Sequence, residues 1–306
     1  MRRLDANMLG VGATPAVRSH SSNRPDDPPL PDDHPLLLTV RGLLDRFGGF
    51  IFTGPPGTSK SYYAAKIADR LTDGDKSRIR FTQFHQSYQY EDFMEGFVPR
   101  KDGSGFTLQA KLFLEMCREA GENKNRNKLF VLVIDELSRG DSGRIFGEAL
   151  TYVERSKRGL PVTLASGDSM IIPDNVVILA TMNPLDRGVD EVDAAFERRF
   201  AKIPMDPDRD LLREQLERNG LPETLRGRVV GFFDMINGRA KANPQAAVGH
   251  TYFFDVTDEA SLQLVWDYQL RFLIDKAMRL NADDRAEVEA GWNRMFEGLP
   301  DDDATS

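Results

Sequence analysis

The stretch FTGPPGTSKSYYAAKIADRL, residues 52–71, sets two glycines, a lysine and a serine where a polyphosphate could be held. Gly54 and Gly57 permit tight turns, so backbone N–H groups and the N-terminus of a following helix can converge on an anion. The Lys60 ammonium would lie against the two terminal phosphates, and the Ser61 hydroxyl would ligate Mg²⁺. The cradle thus spans Gly54, Pro55, Pro56, Gly57, Thr58, Ser59, Lys60, Ser61 and Tyr62. The strict phosphate-loop pattern has glycine before the lysine, and here Ser59 stands there. Serine still offers a backbone N–H, provided its φ and ψ are allowed at that point. A Pro/Gly turn entering a helix would read the same way in isolation, so partners elsewhere must decide.

LFVLVIDEL, residues 129–137, ends a buried apolar run on Asp135 and Glu136. Ligands of open α/β sheets bind at that end of the strands. Asp135 can hold Mg²⁺, and Glu136 can orient and deprotonate an attacking water. Asn183 closes the run VVILATMN and could position that water with its amide. Asp186 and Arg187 follow at once; as a pair they suit either a turn or a further element of the site. Arg198 and Arg199 precede the next strand, where they suit a helix C-terminus or an arginine finger offered to a neighbouring subunit.

These residues need a scaffold that brings strand ends together. Five apolar runs supply it: 49–54, 79–84, 129–136, 176–183 and 201–205, alternating with helical patterns. The spacing predicts a five-stranded parallel sheet covered on both faces. Residues 141–157 are expected to be one helix, and LPVTLASGDSMIIP (160–173) a hairpin with a polar tip. Beyond Pro207 the strand signal fades, and 208–219, 223–239, 258–280 and 283–297 read as helices. The organisation is therefore an α/β domain over 35–206 and a small helical domain over 207–300. A Ser/Pro/Asp-rich tail over 1–34 and an acidic tail over 301–306 complete it. Trp266, Tyr268 and Phe272 are expected in the core of the helical domain, and the aromatics of FHQSYQYEDF (84–93) in packing rather than base stacking.

The net charge of −8, from 40 basic and 48 acidic residues, excludes a surface basic all over. The single Cys117 can form no internal disulfide and reads as buried filler. With no apolar export core and no run of about 20 apolar residues, a cytoplasmic protein with no membrane segment is expected.

In this order the motifs resemble those of the AAA+ ATPases, specifically the McrB-like group of the dynein-related branch. FHQSYQYEDFMEGFVP (84–99), IDELSRGDSGRIFGEALTYVE (134–154), MNPLDRGVDEVDAAFERRF (182–200) and VGHTYF (248–253) carry the resemblance, which covers about residues 36–255. It implies a P-loop NTPase core followed by a helical lid, ATP or GTP with Mg²⁺ as cofactors, and a hexameric ring. Walker A residues would be Gly54, Gly57, Lys60 and Ser61; Walker B residues Asp135 and Glu136; sensor 1 Asn183. Asp186 and Arg187 would belong to the group's signature element, and Arg198 and Arg199 would include the finger. His250 would open the lid element, contacting nucleotide or simply bonding a turn.

The resemblance further implies a partner nuclease subunit of McrC type, with DNA reached through partner chains because no DNA-reading segment is apparent ahead of the motor. A MoxR-like chaperone remodelling proteins and a nucleotide-gated scaffold with little hydrolysis are the other readings. Ser59, and Pro184 and Leu185 inside the signature element, depart from the group's pattern.

Overall fold

The computed structural model describes residues 28–184 and 194–297. Its strands are β1 (Gly49–Thr53), β2 (Ile79–Gln83), β3 (Glu95–Pro99), β4 (Phe106–Ala110), β5 (Phe130–Asp135), β6 (Pro161–Thr163), β7 (Ser169–Ile171), β8 (Val176–Met182) and β9 (Ala201–Pro204). The helices of the first domain are α1 (Pro35–Leu43), α2 (Lys60–Leu71), α3 (Tyr90–Phe93), α4 (Leu112–Ala120), α5 (Ser142–Phe146) and α6 (Ala194–Glu197). Those of the second are α7 (Arg209–Arg218), α8 (Glu223–Ala240), α9 (Glu259–Val265), α10 (Arg271–Ala277) and α11 (Ala282–Asn293).

The five apolar runs form one sheet, in the order β2-β5-β8-β1-β9. Every pairing in it is parallel. Alternation along the strands serves two cores. Ile51, Leu132, Ile134, Ile178 and Ala180 face one layer, while Phe50, Phe52, Val131, Val133, Val177 and Leu179 face the other. The central strands β1, β5 and β8 are buried almost throughout because helices cover both faces, whereas the edge strands β2 and β9 alternate with exposed positions such as Phe81 and Lys202. On the first face Phe84, Phe93, Phe113, Phe146 and Phe196 form a continuous aromatic cluster, with Phe93 stacked on Phe113 at 5.1 Å between ring centroids. The expected packing role of Phe84 and Phe93 is what the structure shows, whereas His85 is exposed. Cys117 is buried in this layer, and burial pushes its thiol up to about 12.

Four expectations are corrected. Residues 141–157 are not one helix: α5 ends at Gly147, whose φ of 50° suits only glycine, and 3-10 turns continue over 147–153 and 155–157. Tyr268 and Phe272 are 73% and 58% exposed, so they are not lid core. The core face of that helix runs through Leu262, Trp266, Leu270, Ile274 and Met278. Tyr268, two positions from Trp266, falls on the opposite side. Within the stretch read as tail, residues 28–34 are placed against the first domain, with Leu30 buried and the Pro28 carbonyl accepting from Lys66 Nζ at 2.8 Å. A hairpin of β3 and β4 stands where no strand was expected, and its Phe97 and Phe106 are largely exposed.

The hairpin of β6 and β7 does form, but its polar tip is docked. Ser166 donates its N–H and its hydroxyl to the two carboxylate oxygens of Glu95, both at 3.0 Å. Behind it Arg158 is buried and donates to four carbonyls: Val153 at 2.9 Å, Pro173 at 3.1 Å, Val176 at 2.8 Å and Gly48 at 2.9 Å. Burial lowers its pKa to about 10, which leaves it charged at neutral pH. Among the described residues no helix is long and apolar enough to cross a membrane.

Candidate nucleotide site

The loop after β1 is held open by close backbone contacts. A Cβ on Gly54 would lie 2.1 Å from the carbonyl oxygen of Met205, so only glycine fits beside the end of β9. Gly57 sits at φ 78° and Ser59 at φ 61°, both in the left-handed region. From Lys60 the chain enters α2, whose first turn points its N–H groups into the loop.

Lys60 Nζ donates to the carbonyls of Gly54 at 2.9 Å and Pro55 at 2.7 Å and reaches the Thr58 hydroxyl at 3.5 Å. Burial lowers its pKa, while Glu136 and Asp135 pull it back up. The ammonium is thus a partly desolvated charge facing two carboxylates.

Ser61 Oγ donates to Asp135 Oδ1 at 2.7 Å, joining the loop to the end of β5. The same carboxylate oxygen accepts from the Thr181 hydroxyl, which in turn accepts from the Glu136 N–H at 3.2 Å. Thr181 was not singled out from sequence. Its signal is its place: two residues before Asn183, inward-facing on β8 beside the acidic strand end. Glu136 adopts φ 55°, a strained conformation for a non-glycine residue, and its carboxylate pairs with Arg139 at 3.2 Å.

Asn183 follows Met182, whose carbonyl accepts from the Gly54 N–H at 3.2 Å. Asn183, expected to be the sensor, therefore borders the first residue of the loop. Arg198 is exposed and Arg199 buried. Asp186 and Arg187 lie outside the described residues. His250, buried, reaches the loop from the second domain, with Nε2 2.9 Å from Ser59 Oγ. The structure thus brings together Gly54 to Tyr62, Asp135, Glu136, Asn183 and His250.

The donor set fits a nucleoside triphosphate with Mg²⁺. A hydroxyl and a carboxylate in contact offer hard oxygen ligands, and the cation and amides of the loop offer anion contacts. Among the described residues no group of three or more His, Cys, Asp or Glu could hold a metal.

Residues 49–200 match the model of the AAA domain (dynein-related subfamily). The type IV methyl-directed restriction enzyme EcoKMcrB subunit of Escherichia coli K12 is 38% identical over 180 residues, covering 55% of this chain and 38% of that protein. The type II restriction enzyme BsuMI component YdiS of Bacillus subtilis 168 is 27% identical over 213 residues, 54% of this chain and 62% of its own length. The chain thus spans less than two thirds of either curated relative. A solved chain from Cytophaga hutchinsonii is 13% identical, covering 84% of this chain and 88% of its own, with a TM-score of 0.39. With a parallel sheet in the order found here, a phosphate loop and an acidic strand end, residues 49–200 are an AAA domain of the dynein-related subfamily, followed by a helical domain and related to McrB restriction subunits.

Proposed function

We propose that this chain hydrolyses ATP or GTP and serves as the ring motor of a restriction complex whose nuclease is a separate subunit of McrC type. The observation that carries the hydrolytic reading is the contact of Ser61 with Asp135 at 2.7 Å, directly beside the Lys60 ammonium. The restriction reading is supported by the similarity to two restriction enzyme components, EcoKMcrB and YdiS. When bound, Mg²⁺ would neutralise phosphate charge. Ser61 and Asp135 would hold it, and Lys60 would turn from its loop carbonyls to the terminal phosphates.

Glu136 takes the proton of the attacking water, and its pairing with Arg139 fixes where its carboxylate points. Asn183 orients that water from the adjoining strand end. Asp186 and Arg187, outside the described residues, are assigned by resemblance to the signature element of the McrB-like group. Arg198, the exposed member of its pair, is the finger lent to the neighbouring protomer of a hexamer, which assigns Arg199 an internal role instead. DNA is reached through partner chains in a cytoplasmic complex.

Turnover of ATP and GTP by the wild type and Glu136→Gln, with and without a McrC-type subunit, tests this. The substitution should lower kcat by about 10² to 10⁴ while leaving nucleotide binding intact. Equal, negligible rates in both proteins would turn the chain into a nucleotide-gated scaffold.

A further inference from the structure

The segment GHTYF of the helical domain lies directly on the phosphate loop. Thr251 N–H donates to the Gly57 carbonyl at 3.0 Å, and a Cβ on Gly249 would lie 2.1 Å from that same carbonyl. Between them His250 is fixed from both sides. Its Nδ1 accepts from the Asp208 N–H at 3.1 Å. A backbone amide can only donate, so Nδ1 is unprotonated and the neutral ring carries its hydrogen on Nε2. That hydrogen points to Ser59 Oγ, which accepts at 2.9 Å. Burial lowers the His250 pKa to about 4, with Asp208 opposing the shift, and Phe254 stacks on the ring at 5.4 Å between centroids.

Ser59 itself is strained. At φ 61° and ψ 21° it holds a left-handed conformation that disfavours any residue with a Cβ. Glycine would relieve this, yet the chain has serine. A hydroxyl has one hydrogen to give; with Ser59 Oγ accepting from His250, that hydrogen remains, and among the described residues no protein acceptor is placed for it. Its neighbours Gly57, Lys60 and Ser61 form the anion cradle.

We propose that Ser59 is a nucleotide-binding residue oriented by His250: the imidazole holds the serine oxygen from the helical domain, so that the remaining O–H donates to a phosphate oxygen of the triphosphate in the loop. This rests on the loop holding a triphosphate. It assigns the helical domain a part in gripping the phosphates through a side chain 191 positions away.

The test pairs stability with affinity in Ser59→Gly, His250→Ala and the double variant, using non-hydrolysable analogues of ATP and GTP in calorimetry. A purely backbone role for position 59 makes glycine neutral or better in both respects. The proposal requires affinity to fall: whatever the balance of relieved strain against the His250 Nε2–H left without its acceptor does to the unfolding midpoint, Ser59→Gly weakens the analogue that binds wild type by about 10- to 100-fold. His250→Ala should weaken it comparably, with the double variant no weaker than Ser59→Gly. Wild-type affinity in Ser59→Gly, or losses that multiply in the double variant, would overturn the assignment. Lys60→Met separates the two levels: if it binds like wild type, the phosphate-loop reading falls and this inference with it, whereas its loss beside an unaffected Ser59→Gly removes the Ser59 role alone.

Discussion

Lys60 and Arg158 are both cations wrapped in main-chain carbonyls, and they differ in what else is close. Arg158 spends four N–H groups on four carbonyls drawn from the 3-10 turn after α5, the hairpin exit, β8 and the residue before β1. Among the described residues it makes no ion pair. Lys60 has two carbonyls from its own loop, one hydroxyl and the fields of Asp135 and Glu136. The first cation is consumed by the fold. The second is held by contacts that an incoming anion can replace, as a binding lysine must be.

That distinction can be broken most sharply at Arg158. Arg158→Met leaves several inward-facing carbonyls without a donor and should cost about 3–5 kcal/mol of stability in denaturant unfolding. A loss below about 1 kcal/mol would erase the difference between the two cations. Lys60→Met should do the reverse: a stability change within about 1 kcal/mol, because a partly desolvated charge is removed, with nucleotide affinity reduced by about 100-fold in calorimetry.

The smallest effect concerns the imidazole against the loop. In the folded chain burial keeps His250 neutral down to about pH 4, whereas in the unfolded chain it takes a proton near its ordinary value of 6.5. Between those values the unfolded state binds more protons, so its contribution is present above pH 6.5 and fades as the pH falls toward 4. Unfolding free energies from pH 7.5 to 4.5 should show wild type losing about 2 kcal/mol more than His250→Gln. Parallel curves would mean that the ring is not sealed against the loop.

The centre of the sheet was legible because strands covered on both faces are near-continuously apolar, as in FVLVI of β5 and VVILA of β8. The loop was legible because its chemistry is local, from Gly54 to Ser61. What escaped is either exposed or distant. The strands of the β3–β4 hairpin present Phe97 and Phe106 to solvent, so neither burial nor alternation marks them. The break at Gly147 depends on one φ angle inside an otherwise helical pattern. Tyr268 and Phe272 share a face with each other but not with Trp266. The Arg158 node draws on residues from 48 to 176, and the contact of Ser59 with His250 joins positions that no local spacing connects.

Cys117 gives the molecule its own clock. With its sulfur buried on the inner face of α4 and its ionisation suppressed to about pKa 12, the folded chain offers no thiolate to an alkylating reagent at neutral pH. Modification must wait for that layer to part from the sheet, so the labelling rate counts openings of the aromatic face without an engineered cysteine.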